Sequence, residues 1–299
     1  MKYVTYESDG LEHPGLLTAA GVVDADTLLT GAGLPAAGSL TGLIRRLADG
    51  SIPAGFFSRP MPVGCGVLPL TAVRLLAPIP RPARNIFCLG KNYAKHAVEV
   101  KMTRLSGTGV PQYPIYFTKI ANPAVPDGGT VHFPPRLTRC LDYEAELAFV
   151  IGREGRHIDP ARAEDYIFGY TILNDISARD VQARHEQWFK GKNFDTFCPM
   201  GPCLVGRDEI PFPVELDITG RVNGEVRQHD NTRHFIFDIP TILADLSDGL
   251  TLEPGDIIST GTPAGVGAGF DPPRFLKDGD TVECEIDKIG SLHVMIKAD

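Results

Sequence analysis

Leu141-Asp142-Tyr143-Glu144-Ala145-Glu146-Leu147-Ala148-Phe149-Val150-Ile151 is the stretch on which the architecture turns. Side chains alternate faces along a strand. Ala148 and Val150 then share one face, and Leu147, Phe149 and Ile151 share the other. A strand apolar on both faces is buried. Glu144 and Glu146 fall on one face at its start. Buried like charges need a cation, a proton or an arginine to be tolerated. The plainer alternative is an exposed strand end with two solvated glutamates, and this stretch alone leaves both readings open.

Working outward, residues 86–89, 115–118, 143–151, 168–173, 216–222, 256–260, 281–286 and 292–296 read as strands divided by Gly, Pro, Asn and Asp. Asn223-Gly224 marks a hairpin, since both residues accept positive φ. Helices are few. One is expected over 93–101, a short one starts at Asp159-Pro160, and another runs from Asp238-Ile239-Pro240 to Gly249. Cys198-Pro199-Met200-Gly201-Pro202-Cys203 reads as a buried turn. Residues 1–77 form a small α+β unit, with a strand over 3–6. Its clearest helix is capped by Ser39, carries Leu40, Leu43, Ile44 and Leu47 on one face, and ends at Gly50. Pro78-Ile79-Pro80-Arg81-Pro82 is the linker candidate. The fold class is therefore α+β and β-dominated, with a small N-terminal domain (1–77) and a larger second domain (78–299).

The chain has 299 residues, enough to bury a core without disulfides or structural metals. With 29 Lys+Arg against 37 Asp+Glu its net charge is −8, which disfavours nucleic acid and anionic membrane as partners. The 32 Gly and 25 Pro indicate many turns without reaching low complexity. No apolar run approaches the ~20 residues of a spanning helix. MKYVTYESDG lacks the apolar core of a secretory signal. None of the six cysteines forms a C-x-x-C pair, as in a reduced compartment. The expected localisation is cytoplasmic.

Asp175 closes the strand-like run Phe168 to Leu173 after Asn174. With Glu144 and Glu146 it could complete an all-oxygen site suited to Mg²⁺ or Mn²⁺, with Ca²⁺ also admitted. It could equally cap a helix over Ile176-Ser177-Ala178-Arg179. His96 and Glu99 are three apart on a predicted helix, hence neighbours, and a carboxylate beside an imidazole is the basic unit of a histidine general base. A surface pair is the alternative. The segment 101–114 that follows reads as a mobile loop. Lys192 in Gly191-Lys192-Asn193 can be read as an exposed loop lysine. Gly261-Thr262-Pro263-Ala264-Gly265-Val266-Gly267 lacks the ending of a phosphate-binding loop, but its amides and the Thr262 hydroxyl could hold a carboxylate.

Taken together, Lys91-Asn92-Tyr93-Ala94-Lys95-His96, Asp142-Tyr143-Glu144-Ala145-Glu146-Leu147, Asn174-Asp175-Ile176-Ser177-Ala178-Arg179-Asp180, the Lys192 segment and the Gly261–Gly267 run resemble the fumarylacetoacetate hydrolase family in order and spacing over residues 85–296. The resemblance implies a β-roll-like catalytic domain, a homodimer, and a divalent metal on Glu144, Glu146 and Asp175. It implies that His96 and Glu99 form a water-activating dyad on a lid, and that Lys192 faces developing negative charge. Gln182 and Thr262 go to the substrate, with Arg179 supporting the site beside them. Two departures bear on the lid: Lys119-Ile120 stands where many relatives have Lys-Pro, and the stretch from His96 to Ile115 is longer than in compact members.

The chemistry implied is that of a metal-stabilised enolate of a small 2-oxo acid. Water attack at a C4 carbonyl makes a C–C hydrolase of 2,4-dioxo acids such as acylpyruvates or fumarylpyruvate, the favoured expectation. Loss of CO₂ or reprotonation makes a decarboxylase or isomerase of 2-oxo dicarboxylic intermediates of aromatic degradation, or an oxaloacetate decarboxylase. A catalytically silent oxo-acid-binding relative is the remaining class. Such a relative would have lost a metal carboxylate or the dyad, and this chain retains them all.

Overall fold

The computed structural model describes residues 1–59, 66–99, 109–185 and 187–299. The loop reading of 101–114 falls outside them as far as residue 108. The N-terminal unit supplies β1 (Lys2–Ser8), β2 (Leu11–Thr18), β3 (Gly21–Asp24), α1 (Ala25–Gly31), α2 (Leu40–Ala48), β4 (Val67–Leu68) and β5 (Arg74–Leu75). Ser39 caps α2 by accepting from the Gly42 N–H at 3.0 Å, and Leu40, Leu43 and Ile44 are buried, as their spacing predicts.

Then follow β6 (Ile86–Gly90), α3 (Ala94–Glu99), β7 (Ile115–Lys119), β8 (Gly129–Phe133), β9 (Leu141–Asp142) and β10 (Ala145–Ile151). β11 (Ile167–Asn174), β12 (Ser177–Ala178), α4 (Arg179–His185), α5 (Phe189–Lys192) and β13 (Met200–Gly206) come next. The chain closes with β14 (Asp217–Val222), β15 (Glu225–Asn231), α6 (Ile239–Ser247), β16 (Ile257–Ser259), β17 (Thr281–Ile286) and β18 (Gly290–Ala298). The fold is thus mixed α+β and dominated by strands.

The main sheet runs β4-β3-β2-β1-β13-β11-β10-β16-β6-β7, with β5 on β1. A second sheet runs β15-β14-β17-β18-β8. The β14–β15 turn is Asn223-Gly224 at φ 52° and 79°, as the sequence predicts. β10 lies near the middle of the main sheet and is buried along its whole length. Its Leu147, Phe149 and Ile151 pack with Ile218, Val282 and Ile286 of the second sheet. Its Ala148 and Val150 pack with Leu29, Leu43 and Ile44 of the N-terminal helices. Both faces of the decisive stretch are therefore covered, by different layers.

Three local differences from expectation have physical causes. The strand expected over 143–151 begins only at Ala145, because Tyr143 and Glu144 lie outside the ladder between β9 and β10. The segment 198–203 feeds β13 where a buried turn was expected: Cys203 and Val205 face one core and Leu204 the other, a two-sided pattern masked by its prolines. The 78–82 stretch is packed, not free. Ile79 is buried, the Thr5 hydroxyl donates to the Pro78 carbonyl at 2.6 Å, and the Ala124 N–H donates to the Pro80 carbonyl at 2.8 Å. Across it, β1 pairs with β13 through Lys2↔Val205 and Tyr3↔Leu204.

Candidate metal and active site

β10 and β11 are antiparallel with Ala145 opposite Asn174. That register brings the start of one strand to the end of the other. It sets Asp175 beside Glu144 and Glu146, about thirty residues away in sequence. The Asp175 N–H donates to the Glu144 carbonyl at 2.9 Å, and the Asn174 side-chain carbonyl accepts from the Glu144 N–H at 3.1 Å. One carboxylate oxygen from each of the three acids lies within 4.8 Å of the others, and all three residues are buried. The solvated-strand-end reading is excluded, and so is helix capping by Asp175, since α4 begins only at Arg179.

Three buried cations face this cluster. Lys192 donates at 2.7 Å to both Glu144 and Asp175. Lys119 lies 2.7 Å from the other Asp175 oxygen, and Arg179 lies 2.6 Å from Glu144. Burial opposes ionisation of Glu144, but Lys192 and Arg179 outweigh it and hold the carboxyl well below its ordinary range. Glu146 is pushed the other way, by burial first and then by Asp175 and Glu144. One Glu146 oxygen accepts from the Ser259 hydroxyl at 2.5 Å and the Gly261 N–H at 3.2 Å. Its Oε1 is buried without a hydrogen-bond partner. An orphaned carboxylate oxygen inside an all-oxygen cluster fits a hard divalent cation.

His96 lies on α3, and its Nδ1 is 2.8 Å from Glu99. The imidazole lines the same cavity as Glu144, Glu146, Arg179, Gln182, Lys192 and Thr262, so the fold brings the sequence-derived candidates together around one space. The surface-pair reading fails because His96 is only 7% exposed. Lys192 is likewise not an exposed loop lysine: it ends α5 and is 2% exposed. Burial alone would lower its ammonium pKa, but Asp175 and Glu144 raise it on balance. Phe117 and Trp188, edge to face at 5.4 Å, form an aromatic wall of the cavity.

The glycine-rich run does hold carboxylates, and they belong to the protein. The Gly265 N–H donates to Glu99 at 2.9 Å. The N–H groups of Gly267 and Ala268 donate to Asp142 at 2.6 and 3.0 Å. Asp142 is fully buried and also accepts from Arg179 Nε at 2.8 Å. Thr262 is engaged as well: its hydroxyl donates to the Ala145 carbonyl at 2.8 Å and accepts from Gln228 at 2.7 Å. Gln182 accepts from Arg179 at 3.2 Å.

Two site residues escaped the sequence reading. Asp142 is the first of three acids at alternate positions, 142, 144 and 146, and that spacing was its signal. Lys119 is fully buried and also donates to the carbonyls of Ile176 at 3.1 Å and Lys192 at 2.6 Å. Its traces were a lysine in step with Ile115 and Phe117 and the Lys119-Ile120 pair that stands where many relatives have Lys-Pro, neither of which assigned it a place in the site.

A strand-dominated fold carries a buried carboxylate triad that could hold a divalent metal beside a histidine–glutamate pair, and that combination marks the class to which the chain belongs. Residues 85–297 match the fumarylacetoacetate (FAA) hydrolase C-terminal domain, and the chain belongs to that family. It is 49% identical over 230 residues to the oxaloacetate tautomerase YisK of Bacillus subtilis, covering 77% of this chain and 75% of that one. It is 39% identical over 295 residues to the mitochondrial oxaloacetate tautomerase Fahd2a of Rattus norvegicus, covering 97% and 90%. Among solved structures, the fumarylacetoacetate hydrolase of Exiguobacterium antarcticum superposes with a TM-score of 0.82 at 40% identity over the whole of both chains. The maleylpyruvate hydrolase of Sphingobium sp. SYK-6, in complex with manganese(II) and pyruvate, gives 0.74 at 29% identity, covering 100% and 99%. Among the described residues no helix is long and apolar enough to cross a membrane.

Proposed function

We propose that this protein is a divalent-metal-dependent enzyme that interconverts the enol and keto forms of oxaloacetate, moving a proton at C3 of a 2-oxo acid. The observation that carries this reading is the 49% identity to an oxaloacetate tautomerase over 230 residues. It favours the isomerase/decarboxylase alternative over C–C hydrolysis as the main activity. Mg²⁺ or Mn²⁺ on Glu144, Glu146 and Asp175 would supply the positive charge against which an enolate forms.

The chain's own residues then have distinct tasks. His96 delivers or removes the C3 proton, and Glu99 fixes the ring and stabilises its charged form. Lys192 and Lys119 hold Asp175, and Lys192 and Arg179 hold Glu144, so the triad is set before substrate arrives. Lys192 also faces the negative charge that develops on the substrate. Gln182, positioned by Arg179, and Thr262 shape the substrate space. A second reading, hydrolysis of a 2,4-dioxo acid, draws support from the likeness to maleylpyruvate hydrolase. The proposal includes a cytoplasmic homodimer built through the β-rich domain, with no nucleic-acid or membrane partner.

The test follows the ultraviolet absorbance of freshly dissolved enol-oxaloacetate. The protein should accelerate its decay beyond buffer and metal alone. Chelation should abolish the effect and Mn²⁺ should restore it. Decay no faster than the metal blank, together with cleavage of an acylpyruvate, would establish the hydrolase reading instead.

A further inference from the structure

On one edge, β10 loses its strand neighbour where the triad begins. Its ladder to β16 ends at Ala148↔Ser259, and one further bond joins the Thr260 N–H to the Leu147 carbonyl at 2.9 Å. Ala145, between Glu144 and Glu146, lies beyond that point and is fully buried. Buried backbone groups need partners. Here side chains supply them. The Ala145 N–H donates to Gln228 Oε1 at 3.1 Å, and the Ala145 carbonyl accepts from the Thr262 hydroxyl at 2.8 Å.

Gln228 organises this clamp from the second sheet, where it is fully buried on β15. Its Nε2 donates to the Thr262 hydroxyl oxygen at 2.7 Å and to the Pro263 carbonyl at 2.8 Å. The Ala145 N–H requires an acceptor and the Pro263 carbonyl a donor, so one orientation of the amide satisfies both. Donation from Nε2 occupies the Thr262 oxygen and turns its single proton toward Ala145. Two peptide planes flank Ala145, one leading to Glu144 and the other to Glu146. Both are thus held by one connected pair of side chains.

The second sheet is built to admit this amide. The β14–β15 register shifts where Gly220 faces Gln228 and Arg221 faces Val226, which leaves Arg227 as an extra residue. Such a bulge re-aims the side chains beside it. A Cβ on Gly220 would stand 2.7 Å from Gln228 Oε1 and 3.2 Å from Gln228 Cβ, and the three atoms nearest to it all belong to Gln228.

We propose that Gln228 is a positioning residue, which sets the metal ligands Glu144 and Glu146 through Ala145 and Thr262 while contributing no ligand itself. This deepens the functional reading above, resting on its metal site and not on its choice of substrate.

Calorimetric titration with Mn²⁺, beside melting curves of the metal-free protein, separates positioning from stability. Gln228→Met fills similar space and makes none of the three hydrogen bonds. It should weaken Mn²⁺ binding about 10- to 100-fold, the usual scale for lost support behind metal ligands. Gly220→Ala keeps Gln228 but crowds its amide, and should weaken binding by about three- to tenfold. Ile296→Val, a buried change elsewhere in the second sheet, should lower the melting temperature and leave Mn²⁺ affinity within about twofold. An equal loss of affinity in Ile296→Val would make the effect one of stability and overturn the proposal. So would undiminished Mn²⁺ affinity in Gln228→Met. If Gln228→Met does not fold, Gly220→Ala decides: weakened binding supports the role and unchanged binding overturns it. A wild-type protein that does not bind Mn²⁺ overturns the metal site itself, whereas a wild type and variants that bind equally overturn only the role of Gln228.

Discussion

His96 illustrates how little separates a surface pair from a catalytic one. The three-residue spacing to Glu99 suits either, and what decides is that the ring is buried beside Glu144 and the carboxylate is fixed by the Gly265 amide. Loss of a general acid–base group typically costs ~10²–10⁴-fold in rate. His96→Ala should therefore reduce kcat for enol–keto conversion by that order. Any acylpyruvate cleavage should fall similarly, because water attack needs the same base. Any decarboxylation of oxaloacetate, which needs no such base, should be less affected. Equal loss of all activities would mark a folding or lid defect, and undiminished conversion would remove His96 from the chemistry. At this scale the sequence was legible where pattern and chemistry coincide. Glu144 and Glu146 stood out as acids on an otherwise apolar strand. Lys119 did not, because a lone lysine in a strand carries no mark of its partner, and Asp175 becomes that partner only through the β10–β11 register.

Between β16 and β17 the glycine-rich loop ties two elements to one another. Glu99 of α3 is held by Gly265, and Asp142 at the end of β9 is held by Gly267 and Ala268. A carboxylate ligand for this loop was legible from its glycines. Its owner was not, since the donors are set by the loop and the acceptors by α3 and β9. The glycines separate stability from positioning. Gly265 has φ 106°, and a Cβ there would come 1.9 Å from the Arg227 carbonyl, which is backbone. Gly265→Ala should therefore destabilise the fold by ~1–3 kcal/mol. At Gly269 the obstacle is the flexible end of Glu99, with Oε2 at 2.5 Å from the added carbon. Gly269→Ala should displace that carboxylate from His96, lowering kcat about tenfold with little change in melting temperature, an effect smaller than removal of the base itself. Paired melting curves and kinetics on the two variants check this. A Gly269→Ala protein with full activity would mean that Glu99 needs no fixed position.

For the molecule as a whole, the question is what the first 77 residues contribute. Proline content led to the expectation of a boundary near residue 78, and the family match begins at residue 85. Long-range pairing was not legible there, because nothing local to Lys2 or Tyr3 announces Val205 and Leu204 as partners. The N-terminal unit pairs with β13, and its Leu29, Leu40, Leu43 and Ile44 are fully or almost fully buried in the layer over Ala148, Val150 and Leu204. Burial of such side chains stabilises by ~1.5–3 kcal/mol each. Four of them amount to roughly 6–12 kcal/mol, which rivals the ~5–15 kcal/mol total stability of a domain. A chain of residues 78–299 should consequently lose its cooperative melt or aggregate through the bared edge of β13, although it keeps every candidate catalytic residue. The full chain should sediment at twice the chain mass, as expected of a homodimer built through the β-rich domain. If residues 78–299 instead give a cooperative, active dimer, the N-terminal unit is an accessory layer. If the full chain sediments as a monomer at micromolar concentration, the homodimer is wrong.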